Sequence, residues 1–376
     1  MWNKPPHDRA MSRRSRSSAG TSPAAPRPLL RRRSDRMQLA AAAALGAVWV
    51  GRLLRTGEGY RLRNKVVVIT RGSRGLGLAL AREMGARGAR LAICGRDSES
   101  LERARASLAR AGAEVLAIPC DVTDRGSVQN LVDQVSHGLG PVDVLINNAG
   151  VIEVGPAETM SVADYEQALG TNFWGMLYPT LAVLPDMRKR RTGRIVNITS
   201  IGGKLGIPHL LPYSASKFAA VGFSQGLRAE VSAEGIKVVT VVPGLMRTGS
   251  PRNAIFRGQH RAEYAWFSIS DSLPGLSISV EGAARRIVEA LRRGDAEVLF
   301  PAVAKIAAVA NAVAPGVTAN VLGLVDRLLP GASTADRSRH TGAESQSWIS
   351  PSWLTQLGDR AARKYNQLAA HPPKAT

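Results

Sequence analysis

The chain predicts an α/β fold, an open, doubly wound parallel sheet of about seven strands with helices on both faces. Three observations carry that prediction. From Lys65 to Phe300, short β-branched apolar runs alternate with amphipathic helical stretches, the pattern of successive βαβ units. A glycine-rich turn, Thr70-Arg-Gly-Ser-Arg-Gly-Leu-Gly77, joins the first run to the first helical stretch. Downstream, Tyr213 and Lys217 stand four residues apart at the start of a helical stretch, and Ser200 closes the preceding apolar run.

In chain order, Val66–Thr70, Leu91–Cys94, Val115–Pro119, Val142–Ile146, Ile195–Thr199, Val238–Val242 and Glu297–Phe300 read as strands. Between them Leu76–Arg87, Glu99–Ala111, Ser127–His137, Ala163–Arg188, Tyr213–Ser232 and Val280–Arg293 read as helices. Right-handed crossovers make the doubly wound, Rossmann-type arrangement the default. The sheet unit occupies residues 62–300. Residues 1–36, rich in Ser, Pro and Arg, read as a disordered basic tail, and 37–61 as an apolar surface-anchor or linker helix. Residues 301–330 form an apolar helical appendage, interrupted at Pro315-Gly316 and packed on the core or facing lipid. Residues 331–376 are polar and flexible, ending in a short amphipathic helix that Ser352 caps and that carries Trp353, Leu357, Tyr365 and Leu368.

Hydrophobic content of 44% and charged content of 21% are those of an ordinary globular protein. The net charge of +21 is unevenly spread: residues 1–63 hold fourteen Lys/Arg against three Asp/Glu. That tail lacks aromatics interleaved for base stacking, which argues against a specific nucleic-acid partner. The thirteen uncharged residues Leu39–Gly51 fall short of the roughly 20 needed to span a bilayer. With basic flanks they suit peripheral contact with a membrane surface. Cys94 and Cys120 each end an apolar run and read as buried thiols of a reducing, cytoplasmic compartment, free or attached to the inner face of a membrane. The six histidines lack ligand spacing, so no metal site is expected.

The turn between the first strand and helix has the context of a dinucleotide cradle. Gly72, Gly75 and Gly77 allow backbone to approach a pyrophosphate, and the helix N-terminus offers N–H donors. Ser73, Arg74 and Leu76 complete it. The second strand ends Cys94-Gly95-Arg96 with no acid at its tip, where an NAD site places one. Arg74 and Arg96 could therefore clasp a 2′-phosphate, or stand as solvated surface arginines; the expected cofactor is NADP(H) rather than NAD(H). Asp121 and Val122 end the third strand near the adenine edge, and Asn147-Asn148-Ala149-Gly150 ends the fourth with small residues that leave room. Asn172 falls inside the long fourth helix, where it faces solvent or serves within. Tyr213 and Lys217 share one helix face, and an ammonium there lowers the phenol's pKa from its usual value near ~10.

In order and spacing these residues resemble the short-chain dehydrogenase/reductase family across roughly residues 64–300, with Pro243-Gly244 and Thr248 completing the set. The resemblance implies hydride transfer between NADP(H) and a carbonyl or alcohol. It implies Tyr213 as general acid, Lys217 as holder of the nicotinamide ribose, Ser200 as donor to the substrate oxygen and Asn172 as holder of a proton-relay water. It also implies cofactor contacts from Thr70, Asn148, Ala149, Gly150, Tyr213, Lys217, Pro243, Gly244 and Thr248, and a homo-oligomer. One departure stands out: the family's first turn glycine is Arg71 here. A side chain there clashes or demands an unfavourable φ; the remaining glycines are expected to keep binding intact. Phe256, Tyr264, Trp266 and Phe267 lie in the segment that forms the family's substrate lid and suggest an apolar or amphipathic small molecule. His209, Leu210 and Leu211 are candidates for the pocket wall, with His209 read as a surface-loop residue. The competing class is a non-catalytic, cofactor-binding scaffold or redox sensor at a membrane surface, with Arg71 marking lost turnover.

Overall fold

The computed structural model describes residues 59–332, 338–347, 350 and 355–367. The basic tail, all but the last three residues of the 37–61 segment, and Ser352, Trp353 and Leu368 lie outside them.

Seven parallel strands form one sheet in the order β3–β2–β1–β4–β6–β7–β11. These are β1 (Val66–Thr70), β2 (Arg90–Gly95), β3 (Val115–Pro119), β4 (Val144–Asn147), β6 (Gly193–Ile198), β7 (Ile236–Pro243) and β11 (Glu297–Phe300). The strand order reverses between β1 and β4, which register Val67 with Val144 and Ile69 with Ile146. That switch point is where an open α/β sheet leaves a crevice at its carboxyl edge.

Alternation along each strand feeds two cores. Val67 and Ile69 of β1, with Leu91 and Ile93 of β2, face α1 (Gly75–Gly85), α2 (Ser98–Arg110) and α8 (Val280–Arg293). Val66 and Val68, with Ala92 and Cys94, face α3 (Arg125–Gly138), α5 (Gly175–Arg190) and α6 (Leu211–Val231). Residues of period two therefore serve opposite layers. Cys94 and Cys120 are free, buried thiols. Helix starts follow local chemistry: Asp97 caps α2 through the backbone N–H of Glu99 and Ser100. Asp124 caps α3, and Ser279 caps α8 through Gly282. Gly294, at φ 72°, closes α8.

The stretch Ala163–Arg188, expected as one helix, is two. After α4 (Val162–Leu169) the chain widens into a π turn over Gly170–Trp174 before α5 begins. Gly170 and Gly175 bracket that turn, and Asn172 sits at its centre, fully buried.

Beyond β7, β8 (Leu245–Arg247) pairs with β10 (Ser277–Ser279), and α7 (His260–Ser272) lies between them in sequence. The hairpin of α9 (Ala302–Val313) and α10 (Pro315–Asp326) breaks at Pro315. Within the polar stretch after it, β12 (His340–Thr341) pairs antiparallel with β9 (Ile255–Phe256), which also pairs with β5 (Glu153–Val154). The last helix, α11 (Gln356–Lys364), delivers Tyr365 into the core beside α1, 3% exposed.

Candidate active site

The turn after β1 is built tightly. Thr70 is fully buried, and its hydroxyl accepts from the backbone N–H of Asn148 and Ala149 at 2.8 and 2.9 Å, tying the ends of β1 and β4 together. The Asn148 amide donates to the carbonyls of Thr70 and Arg71. Gly75 adopts φ 55°, a conformation that favours glycine. A side chain on Gly77 would strike the Arg71 carbonyl and the Asn148 amide, so close packing requires glycine there. Arg71 itself sits at φ 50°, a left-handed conformation uncommon for a non-glycine residue. Its guanidinium turns inward to the Gly150 carbonyl. Burial, with Arg74 and Arg96 nearby, lowers its pKa to about 9.

Two cavities flank this turn. One is lined by Ser73, Arg74, Arg96, Asp121, Val122 and Ala149; Arg71 and Gly150 border both. Arg96 is largely exposed and stands 3.9 Å from Asp121, while the Asp97 carboxylate is engaged in capping α2. The other cavity is lined by Leu76, Asn148, Ser200, Tyr213, Lys217, Pro243, Gly244 and Thr248, with Arg74 and Gly75 at its edge. Gly72 and Gly77 shape the turn without lining either space.

The second cavity gathers the reactive side chains. The Ser200 hydroxyl caps a short turn by accepting from the Gly202 N–H at 3.1 Å. It also hydrogen-bonds the Tyr213 hydroxyl. Pro212 in the first turn of α6 fixes the start of the helix that carries Tyr213 and Lys217. The Lys217 ammonium lies 5.7 Å from the Tyr213 ring centre and donates to the Ile198 carbonyl at 3.1 Å. Asn172 stands behind. Its amide donates to the Val151 carbonyl and the Ser216 hydroxyl and accepts from the Val151 N–H. A Cβ on Gly150 would lie 3.0 Å from the Asn172 Oδ1 and 3.6 Å from the Lys217 Nζ. Both atoms therefore flank Gly150.

The expected lowering of the Tyr213 pKa is not what this arrangement produces. Burial pushes Tyr213 up to about 12; the Ser200 hydrogen bond opposes the shift and Asp271 adds to it. Lys217 spends its proton on a backbone carbonyl, and burial together with Arg71 brings its own pKa down to about 8. The lysine field is thus weaker than the desolvation of the phenol.

This geometry has known counterparts. The family model for short chain dehydrogenases matches residues 65–255. Among curated relatives, the bovine dehydrogenase/reductase SDR family member 7B is 36% identical over 68% of this chain and 79% of its own. This chain belongs to the short-chain dehydrogenase/reductase family. A putative ketoacyl reductase of Streptomyces coelicolor is 41% identical over 49% of this chain and 72% of its own. Among solved structures, a single-substitution variant of actinorhodin polyketide ketoreductase with NADPH superposes at a TM-score of 0.57, with 31% identity, over 63% of this chain and 95% of that one. Levodione reductase superposes at 0.55, with 27% identity, over 64% and 97%.

Within this short-chain dehydrogenase the crevice fits a dinucleotide: a glycine cradle at a helix N-terminus, no acid in the first turn of α1, and cavities on either side. Several residues at the site escaped the sequence reading. Asp271 of α7 lines the substrate side, 6% exposed. It accepts from the Met246 N–H at 2.9 Å, and burial raises its pKa to about 7. Gln367, near the far end of the chain, also lines this cavity. Of the lid aromatics only Phe267 reaches it; Phe256 and Tyr264 pack into a small core of their own. Leu210 lines the cavity, whereas Leu211 is exposed. His209, expected on the surface, is 8% exposed and bonds the buried Glu263 carboxylate at 2.8 Å. The carboxylate supplied from α7 draws the imidazole inward.

Proposed function

We propose that this oxidoreductase reduces an apolar or amphipathic carbonyl compound with NADPH, or runs the reverse oxidation of the alcohol. The observation that carries the reading is the convergence of Ser200, Tyr213 and Lys217 on one cavity bordered by Gly150 and Pro243-Gly244. A nicotinamide cofactor bound across the crevice supplies or takes the hydride. The chain's own residues manage the proton and the charge. Tyr213, protonated at neutral pH, donates its phenolic proton to the carbonyl oxygen. Ser200 donates a hydrogen bond to the same oxygen and stabilises its developing charge. The Lys217 ammonium adds positive charge beside the phenol, and Asn172 anchors the strand-end backbone that carries Gly150. Thr70, Asn148 and Ala149 hold the cradle in shape, and Gly72 and Gly77 keep it narrow enough for backbone N–H groups to reach a phosphate. Ser73, Leu76 and Thr248 line the path, and Asp121 with Val122 borders the adenine end.

Preference for NADP(H) rests on Arg74 and Arg96 bordering one cavity, where Asp97, which also lines it, has one carboxylate oxygen engaged in its helix cap. Consumption of NADPH and of NADH over a panel of long-chain and ring ketones tests the reading. Turnover with NADPH is expected to exceed that with NADH, and no turnover of any ketone with either would overturn it. The non-catalytic scaffold draws on one observation, the Arg71 guanidinium set inside the crevice. Turnover in the same panel eliminates it.

We further propose peripheral membrane contact through the α9–α10 hairpin as well as through the N-terminal segment. Val303, Ile306 and Val313 on α9, with Val317, Val321 and Leu324 on α10, expose one aliphatic face. Each helix has twelve residues, and among the described residues no helix is long and apolar enough to cross a membrane. The occupant fits an anionic bilayer: the exposed side chains are aliphatic, and a chain carrying +21 is attracted to acidic headgroups. A second copy fits α5 and α6, where Leu181 and Phe218 are exposed and Trp174 is exposed just before α5, the aromatic composition of a protein interface. There we place the homo-oligomer contact. Ala304 of α9 packs against Gly244, which lines the active-site cavity, so the hairpin lies next to the site.

A further inference from the structure

The cradle is crossed by the chain's own C-terminal segment. The first N–H of α1, on Gly75, is the kind of donor a pyrophosphate takes at a helix N-terminus. Here it donates to the Tyr365 carbonyl at 2.9 Å. The Gln367 side-chain amide fills the place a Cβ on Gly75 would take. Its oxygen accepts from the Asn253 amide at 2.7 Å, and the Asn253 oxygen accepts from the Arg74 guanidinium at 3.1 Å. Arg74, Asn253 and Gln367 thus form a hydrogen-bonded bar. Gln367 lines the cavity that holds Tyr213, Asn253 lines the one that holds Arg96, and Arg74 lines both.

The segment is built to hold that position. Asn366, at φ 55°, donates to the Ser73 carbonyl and to the Ser100 carbonyl and hydroxyl, and it accepts from Arg103. Tyr365 is buried, its hydroxyl donating to Glu281 and its ring covered by the Arg82 guanidinium at 5.1 Å. Ala362 of α11 packs fully buried against Gly249. The contact is therefore specific rather than a chain end lying on a surface.

We infer that residues 365–367 form an autoinhibitory latch over the pyrophosphate seat, and that a dinucleotide binds only when the latch lifts. The inference rests on the cofactor reading above. A site that is open only a fraction of the time binds with an affinity reduced by that fraction, so weakening the latch strengthens binding. Regulation would act through whatever pulls α11 away.

Hydrogen exchange at the turn and NADPH titration, on the full chain, separate the alternatives. In Gln367→Ala and Asn366→Ala, exchange at Gly75–Leu78 without cofactor is expected to speed up, and NADPH is expected to bind about tenfold more tightly with faster association. A chain ending at residue 354 is expected to do the same to a greater degree; the two point variants keep the test decisive if that truncation unfolds. Unchanged exchange in both point variants overturns the latch. So does weaker NADPH binding with faster exchange, which would make Gln367 a cofactor ligand. If the wild type and every variant bind no NADPH at millimolar concentration, the cofactor reading falls and the gate with it. A wild type that binds, with variants that bind no better, sinks the latch alone.

Discussion

At the scale of single residues, the pKa directions set the pH behaviour of catalysis. Tyr213 holds its proton to about pH 12, so it remains the donor throughout the physiological range. Lys217 carries its charge below about pH 8 and loses it above. The kcat/KM for carbonyl reduction should therefore be flat on the acid side and fall as pH rises through about 8. Arg71 is one cause of the lowered Lys217 value. In Arg71→Gly the inflection should move to higher pH, and a pH profile of both proteins checks the sign. The same substitution removes a non-glycine residue from a left-handed conformation and a guanidinium from the crevice. NADPH should bind Arg71→Gly severalfold more tightly, because the guanidinium no longer occupies the crevice. Isothermal titration reads it directly, and equal affinity would mean Arg71 leaves the crevice at no cost.

At the scale of elements, the seven strands were legible because β-branched runs leave a strong local signature, and β1, β3 and β11 have the boundaries expected from sequence. The split of the fourth helix was not legible: a π turn keeps the hydrophobic spacing close to helical, and only Gly170 and Gly175 hint at it. That turn is what buries Asn172 against Val151, so a feature hidden from periodicity positions a site residue. His209 and Asp271 were misjudged or missed for a related reason. Asp271 stands between two serines and His209 is a lone polar residue in an apolar loop; the burial of each comes from elements packed over them. The cradle itself was legible through its glycines, and its tightness is testable. Gly77→Ala would force the turn apart against backbone, and we expect a loss of about 1–3 kcal/mol in unfolding free energy. Urea denaturation measures it; a midpoint equal to wild type would mean the turn yields.

At the scale of the whole molecule, contacts between distant parts of the chain carried information that no local pattern holds. Asn366 meets Ser73 and Ser100, and Gln367 meets Asn253, across separations of up to 293 residues. Composition alone made this polar end look unattached. The apolar hairpin, by contrast, was readable, since residues 302–328 carry few charges and their helices leave valines outside. Vesicle cosedimentation should show binding to anionic vesicles, with Ile306→Asp/Val321→Asp reducing the bound fraction severalfold by removing buried apolar area. Equal binding by that variant would move the contact elsewhere. The central claim is that Tyr213 gives up the proton in a carbonyl reduction organised by Ser200 and Lys217. The most direct test is kcat for NADPH-dependent ketone reduction by Tyr213→Phe, with cofactor affinity measured alongside. A loss of about 10²–10⁴-fold in kcat with NADPH affinity preserved is predicted; turnover equal to the wild type would contradict the assignment.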